Sequence, residues 1–245
     1  MVKQGGGDPS DLLSLQRYIF ITCLWFNDME LILYHGSEMI VIDPSLSKSK
    51  ANNDYGRGFY CTEDEELSKE WACKRGSNGF SNKYVLELDG LNVVDLTDSS
   101  KYSTLEWISI LIRNRTFTIP IGSISEKSRD YLIERHSLDL SNVDVIIGYR
   151  ADNSYFSYAQ SFLDNSMSLE SLESVVMLGN LGKQVVLISE KAISRLRFID
   201  STSVDNRVYG PLYSERDSNA RDQLKKLKRK ARNGKFILQI MEEGL

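Results

Sequence analysis

The sequence predicts an α+β fold, and three observations point to it. Short apolar or alternating runs that read as strands are scattered among longer periodic stretches that read as helices. They do not alternate as a regular βαβ repeat, which argues against a doubly wound sheet. The stretch Leu31 to Thr62 places two strand ends beside flexible backbone. One, Leu31 to Tyr34, delivers His35-Gly36-Ser37; the other follows Gly56-Arg57-Gly58 and delivers Phe59 and Tyr60. Such a pair reads as the two halves of a small-molecule cleft.

In chain order, Met1 to Ser10 carries Gly5-Gly6-Gly7 and Pro9 and reads as a disordered leader. Tyr18 to Phe26 is an apolar run of nine residues, too short for a bilayer, which takes about 20. Asp8 and Asp11 precede it, which does not suit a secretory signal. It is a docking element or an upstream extension of a domain beginning near Met29. After the cleft stretch, Asp64 to Lys74 reads as a short helix that Thr62 or Glu63 caps, with Leu67 and Trp71 sharing a buried face. Tyr84 to Leu88 alternates as a strand, and Asp89-Gly90 turns it towards Val93-Val94.

Thr104 to Asn114 is an apolar helix and Ile124 to His136 an amphipathic one. Val143 to Gly148 is a short buried strand, Tyr155 to Asp164 a helix, and Leu169 to Leu178 another helix closed by Gly179 to Gly182. Gln184 to Ser189 is a strand, Glu190 to Leu196 a short helix, and Arg197 to Ile199 one more strand. Ser218 to Lys235 is a charged helix bearing Lys225, Lys226, Lys228, Arg229, Lys230, Arg232 and Lys235. This basic run either tracks the phosphates of a nucleic acid, recruits an acidic partner, or is a solvated face.

Composition bounds the chemistry. A chain of 245 residues that is 41% hydrophobic buries a core of its own. Its net charge of -4 selects no class of partner. Cys23, Cys61 and Cys73 are odd in number and lack metal-like spacing, which indicates a reduced, intracellular chain with core or semi-exposed thiols. With only two histidines, His35 and His136, no His-based metal site is expected. No P-loop, dinucleotide fingerprint, nucleophile elbow or zinc motif is present, and Gly56-Arg57-Gly58 precedes a strand where a dinucleotide fingerprint would open a helix. Asp64, Glu65 and Glu66 read as partners of a helix dipole. By residue chemistry alone His35 reads first as a structural histidine, ahead of a ligand-binding one.

A resemblance carries the reading further. Tyr34-His35-Gly36-Ser37, Asp54-Tyr55-Gly56-Arg57-Gly58-Phe59-Tyr60-Cys61-Thr62 and Trp71-Ala72 resemble an ADP-ribosyltransferase-like bacterial family long catalogued as a domain of unknown function. So do Glu106-Trp107, Asn114-Arg115, Asp144 to Gly148, Ala151-Asp152-Asn153, Gly182 to Val186 and Ser189 to Ala192. The similarity runs from about Met29 to Phe198. It implies the split, bent two-sheet fold of diphtheria-toxin-like ADP-ribosyltransferases and poly-ADP-ribose polymerases, with peripheral helices. On that basis residues 29–200 form the ADP-ribosyltransferase-like domain, 1–28 a leader or N-terminal extension, and 201–245 a basic helical C-terminal extension.

Members of that superfamily carry a His-Tyr-Glu signature on three strands, and His35, Tyr60 and Gln184 stand at the matching positions. The resemblance implies that His35 bonds the adenosine ribose of NAD and that Gly36 holds the nicotinamide amide by its backbone. Tyr60 would stack on the nicotinamide ring, Ser37 would support the nearby contacts, and Gly58 and Phe59 would line the cofactor side. Arg57 either reaches the pyrophosphate or is a solvated loop arginine. Asp152 orients the acceptor, binds the cofactor ribose, or caps the helix near Tyr155.

Gln184 in place of glutamate accepts a hydrogen bond but brings no full negative charge, so polymer elongation is not expected. The function so implied is mono-ADP-ribosyl transfer from NAD to a protein or nucleic acid. The chain would be a cytoplasmic toxin of a toxin–antitoxin or phage-defence pair, with an antitoxin as partner and no membrane association. The alternative is an inactive module that binds NAD, ADP-ribose or a partner.

Overall fold

A computed structural model describes residues 30–151, 153–178, 182–230 and 234–245. The expectations for the leader, the Tyr18 to Phe26 run, Cys23, Asp152, Gly179 and Arg232 lie outside those residues, as do the side chains of Lys228, Arg229 and Lys230. Among the described residues the architecture is α+β, as the sequence predicts, with seven strands in two sheets and eight α-helices.

Strands β1 (Glu30–Ser37), β3 (Gly79–Glu87) and β7 (Leu196–Val204) form an antiparallel sheet in the order β1-β3-β7. Strands β2 (Phe59–Cys61), β6 (Lys183–Leu187), β5 (Val145–Tyr149) and β4 (Val93–Asp95) form the second sheet in that order, with β4 parallel to β5. Side chains alternate across a strand, and here alternation divides the core in two. Leu33, Tyr84 and Leu86 of the first sheet meet Phe59, Cys61, Val145, Val185 and Leu187 of the second in a buried layer between them. Ile146 and Val186, one residue along, point into a larger core made with the helices.

The helices are α1 (Glu65–Ala72), α2 (Thr104–Asn114), α3 (Ile124–His136), α4 (Asn153–Leu163), α5 (Leu169–Leu178), α6 (Glu190–Ser194), α7 (Asn206–Lys230) and α8 (Ile237–Glu243). Helix α2 starts at a capping box between Ser103 and Glu106 and buries Trp107, Ile108 and Leu111 almost completely. Residues beyond 200 are part of this packing. β7 pairs with β3 as far as Val204, and Ile237 and Ile240 of α8 are buried in the helical core.

Two local expectations are corrected. The cap of α1 is Asp64, whose carboxylate accepts from the Leu67 N–H at 3.1 Å. Thr62 stands before the helix, its backbone bridged to Tyr34 with N–H···O distances of 2.7 and 2.9 Å and its hydroxyl accepting from the Asp64 N–H at 3.2 Å. The Asp89-Gly90 turn does not fold β4 back onto β3. It carries the chain into the other sheet, where the Asn92 carbonyl accepts from the N–H groups of Asp144 and Val145 and so leads β4 alongside β5.

The Tyr34–Thr62 bridge is what positions the cleft. It is an isolated bridge that joins β1 to the residue just after β2. In an antiparallel register the next pair on one side would be Gly36 with Tyr60. There the strands part, and the space between them opens.

Candidate functional site

His35 fills the parting. Its ring stacks on Phe59 with centroids 4.4 Å apart, and its Nδ1 lies 2.7 Å from the Tyr60 carbonyl oxygen. A carbonyl only accepts, so Nδ1 carries the proton and Nε2 of the neutral ring is an acceptor. Desolvation by burial holds the His35 pKa below the ordinary histidine value, outweighing the hydrogen bond to the Tyr60 carbonyl. A neutral ring with one fixed tautomer therefore lines the cleft.

Gly36 follows on the same strand. The peptide groups of Tyr34 face Thr62, and alternation along β1 turns those of Gly36 to the same edge, where the Tyr60 carbonyl has been engaged by His35. A Cβ at Gly36 would lie 2.0 Å from the Ser68 carbonyl oxygen and 2.7 Å from the Ala72 nitrogen. Only glycine lets α1 pack this closely behind the strand.

Tyr60 points to the opposite face of β2 from Phe59 and Cys61. Its hydroxyl donates to the Gly56 carbonyl at 2.7 Å and accepts from the Tyr55 N–H at 3.0 Å. That pair of bonds closes the 54–60 loop over the ring edge and fixes the ring. Burial pushes the Tyr60 pKa well up, so the phenol keeps its proton.

Gln184 is the second residue of β6, the third strand of the site, and is 4% exposed. Its Nε2 donates to Asp54 Oδ2 at 3.0 Å and lies 3.5 Å from the Tyr149 carbonyl. Asp54 is almost as buried. It accepts from the Ala151 N–H at 3.0 Å and pairs with Arg115 at 2.5 Å. The Arg115 Nη1 also donates to the Ala151 carbonyl at 3.2 Å. Arg150, 7% exposed, lies with its guanidinium carbon 4.3 Å from the centre of the Trp71 ring.

These groups share a hollow of about 370 Å³ whose lining includes His35, Gly36, Tyr60, Gln184, Asp54, Arg115 and Arg150. A second hollow of about 430 Å³ adjoins it, sharing His35, Asn53 and Tyr60 and adding Gly58, Phe59, Lys48, Lys50 and Arg75. Each is within the size range of small-ligand sites. A larger hollow of about 810 Å³ lies on the Tyr55 and Ile110 side and contains none of His35, Tyr60 and Gln184.

Of the residues singled out from sequence, His35, Gly36, Tyr60 and Gln184 come together, and Gly58 and Phe59 line the adjoining hollow. Phe59 does so mainly as the buried plate under His35. Arg57 lines the larger hollow and donates to the Ser49 carbonyl at 3.2 Å, and Ser37 bonds its own turn at Met39. The sequence assigns no role to the carboxylate and guanidinium groups of the site, Asp54, Arg115 and Arg150. Asp54 and Arg115 stand inside the matching motifs without a role attached, and the burial of Arg150 just after β5 shows only in the structure.

Among the described residues no group of three or more His, Cys, Asp or Glu is placed to hold a metal. None of their helices is long and apolar enough to cross a membrane. A family model described as "Protein of unknown function (DUF3990)" matches residues 31–198, more than half of the chain. No curated protein and no solved structure matches the chain.

Proposed function

The chain belongs to the family described as Protein of unknown function (DUF3990), and we propose that it is a mono-ADP-ribosyltransferase that uses NAD, built on the split two-sheet fold of that enzyme class. The observation that carries this reading is the convergence of three strands from two sheets. His35 from β1, Tyr60 from β2 and Gln184 from β6 open on one hollow, with the Gly36 backbone between them.

The chemistry required is cleavage of the bond between nicotinamide nitrogen and ribose C1. The bonding pair leaves with nicotinamide, the sugar becomes oxocarbenium-like, and an acceptor atom closes the new bond to C1. Positioning and electrostatic support of the cation supply the rate. In this reading His35 Nε2 accepts from a ribose hydroxyl. The Gly36 peptide groups take the nicotinamide amide, Tyr60 stacks on its ring, and Gln184 orients the reacting sugar. Arg150 and Arg115, in place of Arg57, face the pyrophosphate, and the adjoining hollow with Lys48, Lys50 and Arg75 receives the rest of the dinucleotide. The acceptor is a protein or a nucleic acid. The reading makes the chain a cytoplasmic toxin of a toxin–antitoxin or phage-defence pair.

Gln184 itself favours a second reading, in which the pocket binds NAD or ADP-ribose without turnover, because an amide supplies no full charge to the developing cation. The two separate in one experiment: pure protein is incubated with adenylate-labelled NAD and a cell lysate while nicotinamide release is followed. Label transfer or release is expected. Neither would overturn the enzyme reading in favour of the binding module. His35→Ala and Tyr60→Ala are expected to abolish turnover with the circular dichroism spectrum retained, and unchanged turnover in either would refute the site.

A further inference from the structure

We propose that Asp54 is a positioning residue that locks the Gln184 amide with its oxygen turned to the cleft, so that the Asp54–Gln184 pair together replaces a glutamate at the third position. This rests on the functional reading above. The two residues are 130 apart in sequence and meet at 3.0 Å across the floor of the hollow.

An amide presents either a donor or an acceptor, and which one it presents depends on its neighbours. Both neighbours at one end of the Gln184 amide are acceptors. Asp54 Oδ2 lies 3.0 Å away and the Tyr149 carbonyl oxygen 3.5 Å away. That end is therefore the NH2 group, and among the described residues no side-chain hydrogen bond of Gln184 uses Oε1. The residue lines the cleft, so Oε1 is the acceptor offered to the ligand.

Asp54 cannot turn to release the amide. Its Oδ1 is held by Arg115, and its Oδ2 also accepts from the Ala151 N–H at 3.0 Å. An N–H polarised by a carboxylate makes the oxygen at the other end of the same amide a stronger acceptor. The cation-facing group thus has a glutamate's acceptor geometry, with the negative charge one hydrogen bond behind it. A direct consequence is that glutamate at 184 would set two carboxylates against each other, and one of them would have to take a proton.

The test is a double-mutant cycle on the full chain: wild type, Gln184→Glu, Asp54→Asn, and the double variant that exchanges the two functional groups. Nicotinamide release gives kcat and KM for NAD, and thermal melting reports stability. Each single variant is expected to lower kcat by about tenfold or more with a smaller change in KM, and the double variant to regain about tenfold over the worse single. Losses that simply multiply, or a Gln184→Glu variant more active than wild type, would overturn the proposal. A purely structural Asp54 would lower the melting temperature of Asp54→Asn equally in both backgrounds and give no recovery of kcat. Where wild type neither binds NAD nor releases nicotinamide, the functional reading falls by itself. The pairing is then read in the melts, where recovery in the double variant sustains the locked amide and additive losses overturn it.

Discussion

His35 shows how much a single side chain does in this site. It holds the Tyr60 carbonyl with Nδ1, stacks on Phe59, and leaves Nε2 for a ligand. Burial keeps its pKa below the ordinary value, so the folded chain binds a proton there less readily than the unfolded chain does. The stability that this neutral ring supports is complete above about pH 6.5, the unperturbed histidine value, and is lost as pH falls towards the depressed native value. Melting temperatures between pH 5 and 8 are therefore expected to fall on the acid side more steeply for wild type than for His35→Gln. Parallel curves would refute the buried neutral ring. In NAD titrations over the same range, affinity is expected to weaken only on the acid side, where protonation turns Nε2 from acceptor to donor. His35, Gly36 and Tyr60 are legible in sequence because each sits in a short motif whose neighbours fix its backbone. The Asp54–Arg115 and Asp54–Gln184 contacts are not, because they join residues 61 and 130 apart and depend on how two sheets are set against each other.

The elements that frame the cleft are β1, β2 and α1, and their spacing is set by the absence of a side chain at Gly36. The atoms that a Cβ would strike, the Ser68 carbonyl and the Ala72 nitrogen, belong to the backbone of α1 and cannot yield by rotating. Gly36→Ala is expected to destabilise the fold by about 1–3 kcal/mol through overpacking, read as a lower urea midpoint, and to lower NAD affinity as α1 is pushed from β1. An unchanged midpoint would show that the helix is free to move. The starts and ends of α2, α3 and α5 follow from local signals, such as the Ser103–Glu106 box and the Ser123 cap, and agree with the sequence reading. β3 and β7 run further than their apolar patterns indicate, while α7 starts at Asn206, well before Ser218, and Lys235 lies outside it with its N–H donating to the Glu170 carboxylate at 2.8 Å. β3 is the central strand of its sheet and is paired on both sides, so its polar residues Ser81, Asn82 and Lys83 are carried into the ladder by their neighbours. The sequence points β4 to the wrong partner, because the turn at Asp89-Gly90 is equally compatible with a hairpin and with a crossing between sheets.

Across the whole molecule the second sheet separates two cores, and the site sits where the first sheet parts from it. The helical core is completed by residues far along the chain, including Ile237 and Ile240 of α8, both almost fully buried. Ile240→Ala is expected to cost about 2–5 kcal/mol in urea unfolding, whereas Ile121→Ala, at a residue 96% exposed, is expected to change stability by less than about 0.5 kcal/mol. Equal effects would place α8 outside the cooperative unit. By itself the sequence determined the α+β class, most of the helices, and the two strand ends with His35 and Tyr60, because these follow from periodicity, caps and turns within a few residues. Only the tertiary structure decided that Gln184 lies beside a carboxylate, that Arg57 faces away while Arg115 and Arg150 face in, and that β4 joins the second sheet. Those outcomes depend on strand register and on the divergence of two sheets after one bridge, and neither is encoded in any single stretch of chain.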